Sequence, residues 1–251
     1  RAARAELRLA RAALRDGSSA RAAERTARAL DHVPNLPEGL QLTGTIARKR
    51  AWLLTHAGTA LAAARDTVSL IALIDTVMAT GAKSGFARDP RLHYYLRGLL
   101  WCERGQPDSA ERALRASLTS LSEGFTRENA ELATLLIDRH RPAEAIPLVR
   151  LALQGPMESS NAYITRTELQ ALLGRAFAAA GQPEEAAERA DLVLRVLLPQ
   201  GFLRDGRHAV PALPHDLEAV HLEQVAEALV DGLVVGLRRA REVAEGHGVG
   251  K

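Results

Sequence analysis

Apolar residues recur at helical spacing through most of the chain, and three stretches repeat one arrangement of apolar, small and helix-breaking positions. These stretches are residues 93–118, 129–153 and 167–194. The first and the third align without gaps, because four positions recur 76 residues later, as Gly98 and Gly174, Gly105 and Gly181, Pro107 and Pro183, and Ala110 and Ala186. A period near 34 residues with one insertion explains these spacings. The chain is therefore predicted to repeat one structural unit.

Each unit is predicted to be two antiparallel helices joined by a tight turn. Gly105-Gln106-Pro107 and its counterpart at 181–183 place a helix-ending glycine just before a proline that suits the start of the next helix. Small residues let the two helices approach closely, and larger apolar residues fill the space further along. The small positions are Gly98, Ala133 and Gly174 in the first helices and Ala110, Ala145 and Ala186 in the second, and the larger ones are Leu114, Val149 and Val193.

A fourth copy of the pattern lies at residues 6–30, with Gly17, Ala22 and Pro34 at the matching positions. The pattern is degenerate between residues 36 and 79. In this part, residues 46–64 and 68–80 still predict a helix pair, and either Asp66 or Thr67 is expected to cap the second helix.

The middle copy departs from the others in two ways. His140 stands where the turn glycine is expected, and Pro147 falls inside the second helix. A proline beyond the first turn removes a backbone hydrogen bond, so this helix is expected to bend.

These copies resemble the tetratricopeptide repeat, a helix–turn–helix unit of about 34 residues with a small residue in each helix and a closing proline. The resemblance covers residues 6–34 and 93–198, and it implies an all-α, right-handed solenoid of antiparallel helix pairs. The expected organisation is a hairpin at 1–35, a degenerate hairpin at 36–90, three repeats at 91–198, a linker at 199–215, and a capping helix with a disordered end at 216–251.

Two helix starts look alike, at residues 124–128 and 163–168. Thr165 and Glu168 fit a capping box. Arg127 and Arg166 each lie in a first helical turn, where the helix dipole disfavours a cation. Either this is chance in an arginine-rich chain, or the two arginines line a shared groove with Asn129 and Asn161. The loop 154–161 is either a plain connector or an insertion on the binding face.

The amino-acid composition disfavours several classes of protein. Ala, Leu and Arg dominate and aromatic residues are only 4%, which disfavours β structure. One cysteine excludes an internal disulfide, and a net charge of +3 argues against a dedicated nucleic-acid-binding protein. No apolar stretch of about 18 residues predicts a membrane span. We expect a cytoplasmic protein, although a sequence that begins with Arg1 leaves a preceding domain or signal peptide open.

The sequence contains no recognisable group of catalytic residues, and we expect neither a metal nor a cofactor. His215 and His221 are six residues apart, which is not the spacing that places two ligands on one helical face. Cys102 and His93 resemble a nucleophile pair, but Cys102 is expected to be a buried small apolar residue. Arg1, Arg4, Arg8, Arg11 and Arg15 form a stripe that is either a solvated face or a patch for an acidic partner, an acidic lipid surface or nucleic acid.

We therefore expect a non-catalytic scaffold that binds a peptide or a partner domain in the concave groove of the first helices. The candidate groove residues are Tyr95, Leu99, Arg127, Asn129, Thr134, Asn161, Arg166, Glu168 and Arg175. The alternative is the sensory or regulatory C-terminal segment of a larger bacterial transcription regulator or protein kinase. It rests on residues 124–136 and 159–174, which are similar to tetratricopeptide segments of such proteins.

Overall fold

The computed structural model describes residues 18–32, 44–118, 126–155 and 164–197, together with isolated helical positions between residues 2 and 13. These parts contain nine helices and no strand, which confirms the predicted all-α class. A 3₁₀ turn at Asp89–Arg91 leads into the fourth helix. The helices are α1 (Ser19–Asp31), α2 (Gly44–Ala63), α3 (Thr67–Gly81), α4 (Leu92–Glu103), α5 (Pro107–Leu118), α6 (Thr126–Asp138), α7 (Pro142–Gln154), α8 (Arg166–Ala179) and α9 (Pro183–Leu197).

The helices pack as consecutive pairs, which are α2 with α3, α4 with α5, α6 with α7, and α8 with α9. Each pair packs against the next through α3 and α4, α5 and α6, and α7 and α8. First helices also meet directly, because α2 contacts α4 and α6 contacts α8. A core that includes Leu96, Leu136 and Leu173 runs through these contacts.

All four pairs turn through the same backbone motif. The second residue after each first helix has a positive φ, at Arg65 (58°), Gly105 (65°), His140 (58°) and Gly181 (72°). The next N–H then donates to a carbonyl five residues back, as Gln106 does to Trp101 at 2.9 Å and Arg141 does to Leu136 at 2.8 Å. This is the Schellman arrangement, which satisfies the last carbonyls of a helix. The degenerate pair and the irregular middle pair therefore share the turn of the two regular pairs.

Small residues lie where the paired helices touch, as predicted. A Cβ placed on Gly98 would lie 2.6 Å from Leu114 side-chain atoms, so only glycine fits there without a shift. The contact is less tight at Gly174, where an added Cβ would be 3.3 Å from the Arg189 Cβ. The other predicted contact residues are buried, namely Ala133, Ala110, Ala145, Ala186, Leu114, Val149 and Val193.

The helix caps and the internal proline agree with the sequence pattern. Asp66 caps α3 by accepting from the backbone N–H of Ser69 at 3.0 Å. Thr165 and Glu168 form the predicted capping box at the start of α8. Pro147 lies inside α7, and the helix continues past it to Gln154.

A network of ion pairs joins α5 to the turn between α6 and α7. Glu111 Oε2 accepts from Arg139 Nη1 and from Arg141 Nη1, both at 2.8 Å. Glu111 Oε1 accepts from Arg115 Nε at 3.0 Å, and Arg115 also reaches Glu144 at 3.1 Å. Burial opposes ionisation of Glu111, but the hydrogen bonds from Arg115 and Arg141 outweigh it, and its pKa is lowered. The network therefore ties the second and third of these helix pairs together at the surface.

Several predictions fall on residues outside the described parts. They concern Gly17, Pro34, Asn161, the arginine stripe at residues 1–15, the linker 199–215, His215, His221 and the C-terminal helix of 216–251. Among the described helices, none combines the length and the apolar character that crossing a membrane requires.

Candidate functional site

The most unusual group of side chains surrounds Arg127 in the first turn of α6. Its guanidinium is 2% exposed, and Nη2 lies 3.2 Å from His56 Nδ1 of α2. The same guanidinium stacks on the rings of Trp52 and Tyr95, at 5.4 and 5.3 Å from their centroids. A cation held over aromatic rings in a desolvated place is favourable enough to offset part of its burial cost. Arg127 therefore joins α2, α4 and α6 at one point.

Trp52 connects this point to the segment between α3 and α4. Arg88 lies over the indole ring at 4.4 Å from the centroid, so that arginines stack on the ring from two elements. The indole Nε1 donates to Asp89 Oδ1 at 3.1 Å, and the Ser84 hydroxyl donates to Oδ2 of the same buried carboxylate. We call the group formed by Trp52, His56, Arg88, Asp89, Tyr95, Arg127, Glu128 and Glu131 the Arg127 cluster.

Gly81 allows Asp89 to reach its place in the cluster. A Cβ at Gly81 would lie 2.3 Å from the Asp89 carbonyl oxygen, which is a backbone atom and cannot rotate away. The close passage of the 3₁₀ turn over the end of α3 thus requires glycine at this position. Gly81, at the end of α3, therefore lets the backbone of Asp89 pass close enough to bring its carboxylate to Trp52.

Glu128 and Glu131 of the cluster lie in an environment that disfavours ionisation of their carboxyl groups. Burial raises the pKa of Glu128, and the nearby Arg127 and Arg88 only partly reverse this. Burial also raises the pKa of Glu131 to about 7; Arg127 opposes the increase and Glu128 adds to it. Burial lowers the pKa of Arg88, with a further decrease from Arg48 and Arg127. Glu131 consequently changes its charge close to neutral pH.

One face of α6 leads from the buried cluster to the surface. Arg127, Glu131, Thr134 and Asp138 are spaced by three or four residues, so they lie along one side of the helix. Glu131 and Thr134 are half-buried, and the Asp138 side chain is 61% exposed. Asp138 forms an ion pair with Arg175 of α8 at 3.7 Å. We call these four residues the α6 stripe.

Four of the predicted groove residues are buried and do not line an open groove. They are Tyr95, Leu99, Arg127 and Asn129, each at most 8% exposed. The expectation of an accessible groove at these positions is corrected, because Tyr95 and Arg127 are packed against each other and against neighbouring helices. Their positions make them internal supports of the surface rather than parts of it.

The remaining candidates are accessible to different degrees. Thr134 is half-buried on the α6 stripe, and Arg175 is exposed beside Asp138. Arg166 is exposed at the start of α8, while Glu168 is engaged in the capping box. The structure thus brings Thr134 and Arg175 to one surface, with the buried Arg127 on the same side of α6 as Thr134.

Sequence reasoning missed Trp52, His56, Arg88, Asp89 and Glu131. Four of them lie in the degenerate region, where the repeat pattern does not indicate which face points inward. One signal was available: Trp52 and His56 are four residues apart on a predicted helix, which places both on the same face. Glu131 could have been identified in the same way, four residues after Arg127.

Cys102 is exposed, so its predicted burial is wrong. Desolvation by neighbouring atoms raises the pKa of the thiol to about 11, and Glu131, Glu103 and Asp138 raise it further. The thiolate is the reactive form of cysteine, and it is scarce at neutral pH when the pKa is this high.

The described residues define an all-helical protein of paired helices with a buried charged cluster. No family model matches the chain, and no curated protein is detectably similar to it in sequence.

Proposed function

We propose that the chain is a tetratricopeptide-like scaffold without catalytic activity, which binds a peptide or a partner domain along the α6 stripe. The recurring helix pair and its Schellman turn support a repeat architecture, since both recur at intervals of 35 to 41 residues, from Arg65 to Gly181. Stacked helix pairs of this kind characteristically present extended binding surfaces.

The α6 stripe is the observation that carries the proposal. It combines partly exposed carboxylates at Glu131 and Asp138 with a hydroxyl at Thr134 and a cation at Arg175 across from it. Such a mixed row suits an extended peptide, because carboxylates accept from its N–H groups and cationic side chains, while a guanidinium binds a carbonyl or a carboxylate.

The Arg127 cluster has a supporting role in this proposal. Its buried contacts hold α6 against α2 and α4 before any partner arrives. A binding surface that is rigid in advance loses less conformational entropy when the partner binds. The high pKa of the Cys102 thiol supports a role without covalent catalysis.

Partner capture with a stripe variant tests the proposal. The variant carries Thr134→Arg and Arg175→Glu, which block the stripe sterically and reverse the charge beside Asp138. Its matched control carries Ala143→Arg and Arg112→Glu, the same net charge change at exposed positions of α7 and α5. Both should keep the helical circular dichroism spectrum of the parent chain.

The immobilised chains are incubated with cell lysate, and bound proteins are quantified by mass spectrometry. We expect proteins enriched on the parent and on the control to be depleted at least about tenfold on the stripe variant, which corresponds to roughly 1.4 kcal/mol of binding free energy. Equal enrichment on all three chains, or no enrichment on any, contradicts binding along the stripe.

A further inference from the structure

The outward side of α3 exposes more large apolar residues than any other described helix. Val68 is 79% exposed, Ile71 is 41% exposed and Met78 is 40% exposed. Ala72, Asp75 and Ala79 lie among them on the same side of the helix, and all three are exposed. We call these six residues the α3 face; Asp75 is the only charged residue in α3.

The opposite side of α3 is already occupied by the core. Leu70, Leu73, Ile74 and Val77 are buried against neighbouring helices. Large apolar residues therefore lie on both sides of α3, alongside exposed Ser69, Asp75 and Thr76, and apolar residues on two sides are typical of a helix that is covered on both. Exposed apolar residues that are scattered singly need no explanation, but a row of them along one helix marks an interaction site.

The equivalent helix of the next pair shows what a solvated outward side looks like in this molecule. Helix α5 exposes Asp108, Arg112 and Arg115, and its charges form ion pairs or hydrogen bonds. Helix α7 exposes the single large apolar residue Leu151, and Pro147 and Arg150 are also exposed on this helix. The α3 face thus differs from the equivalent sides of α5 and α7. Helix α9 exposes Leu192 and Val196, but it also exposes Glu184, Glu188 and Asp191.

We propose that the α3 face docks an amphipathic helix of another protein, with a basic residue at its centre and acidic residues at its ends. The charges around the face carry this assignment. Asp75 lies near the middle, and exposed Lys83 lies beyond the end of α3. Arg65 lies before the start of α3; it forms an ion pair with Glu103 at 3.5 Å, and its side chain is still 86% exposed. A partner helix with the opposite charge order would meet all three favourably.

The same charges disfavour a second copy of this chain as the occupant. If two α3 helices pack antiparallel, Asp75 faces Asp75 and Arg65 approaches Lys83. If they pack parallel, every charge faces its own copy. Like charges that face each other across an interface suppress that pairing, so a partner of different sequence fits better.

The site is separate from the α6 stripe, since it lies on a second helix and the stripe lies on a first helix. Substitutions on exposed α3 positions leave the core residues Leu70, Leu73 and Val77 in place. Binding at the two surfaces can therefore be tested independently.

Fluorescence anisotropy with two synthetic helical peptides tests the proposal. Both peptides have about the length of α3 and carry leucines along one side. The first has a central Lys and Glu at each end, and the second has a central Glu and Lys at each end. We expect the full chain to bind the first peptide at least about tenfold more tightly than the second.

Three variants locate the binding. Val68→Ser with Ile71→Ser should weaken binding of the first peptide at least about tenfold. Asp75→Lys should reduce the preference for the first peptide, because its central Lys then meets a like charge while the central Glu of the second peptide meets an opposite one. Leu151→Ser on α7 is the matched control and should leave binding unchanged. The proposal is overturned by lack of binding, by equal affinity for both peptides, or by a Leu151→Ser effect as large as that of the α3 variants. Sedimentation that shows a dimer abolished by Val68→Ser with Ile71→Ser would instead assign the face to a second copy.

Discussion

Buried charge is the main feature of this protein at the scale of single residues. Arg127, Glu128 and Asp89 are nearly or fully buried, although burying an ion costs several kcal/mol unless it is paired or hydrogen-bonded. The Arg127 cluster offsets this cost by ring stacking, by the indole bond to Asp89 and by attraction between its opposite charges. Burial nevertheless raises the pKa of Glu128 and of Glu131.

The raised pKa of Glu131 predicts a specific pH dependence of stability. In the folded chain Glu131 holds its proton up to about pH 7, whereas its ordinary value is 4.5. Between these values the folded state binds more protons than the unfolded state, so the free energy of unfolding falls as pH rises through this window. The Glu131→Gln variant lacks this loss, and we expect it to become more stable than the parent by roughly 1–3 kcal/mol at pH 8.

Urea denaturation at pH 5, 6, 7 and 8 measures this difference. The difference in the free energy of unfolding between Glu131→Gln and the parent should widen from pH 5 to about pH 7 and level off towards pH 8. The control is Glu184→Gln, at an exposed position of α9; its difference in the free energy of unfolding from the parent should be the same at every pH. A difference for Glu131→Gln that is equally constant would mean that the carboxyl group is solvated in the folded chain.

At the scale of helices, the conformation of the turn is what the four helix pairs share. Arg65 and His140 adopt the same positive φ as Gly105 and Gly181, although a side chain there crowds the backbone. The hydrogen bonds of the Schellman turn are therefore strong enough to impose this conformation on non-glycine residues. This explains why the middle pair keeps the shared turn without the expected glycine.

Reciprocal substitutions at two turns test this interpretation. His140→Gly removes the crowding and should raise the free energy of unfolding by roughly 0.5–1 kcal/mol. Gly105→Ala introduces crowding at an equivalent turn, where an added Cβ meets no other atom, and should lower it by about 1 kcal/mol. Thermal and urea unfolding measure both changes. Effects of the same sign at the two positions would refute conformational strain as their cause.

Contacts between pairs determine how the whole molecule holds together. Close packing within pairs is local in sequence, but the Glu111 network and the Arg127 cluster connect different pairs. Arg127 and His56, for example, are 71 residues apart in the chain. The two groups differ in solvation, because Arg115 and Arg141 of the network are partly exposed, whereas Arg127 is buried.

Salt should therefore weaken the Glu111 network. Glu111 accepts from three arginines, so Glu111→Gln should lower the free energy of unfolding by about 1 kcal/mol at low ionic strength. Most of this difference should disappear in 1 M NaCl, where screening extends to about 3 Å. The control is Glu24→Gln, which removes a single exposed ion pair with Arg28 and should change stability by at most about 0.5 kcal/mol. A salt-independent loss at Glu111 would indicate a packing effect instead.

Much of the local structure could be predicted from the order of residues. The helix pairs, the capping box at Thr165, the Asp66 cap and the close contact at Gly98 all follow from spacing or from the chemistry of one or two residues. Such features depend on neighbours within a few turns of helix, so a single sequence contains the information that they need.

The sequence by itself determined the helical class, the pairing of helices and the positions where they touch. The tertiary structure alone decided which distant residues meet: it buried Tyr95, Leu99, Arg127 and Asn129, and it brought Trp52 and His56 to Arg127. The physical reason is that helical periodicity defines a face but not its neighbour. A charged residue at the start of a helix is solvated or buried according to what packs over it, and that depends on contacts tens of residues away.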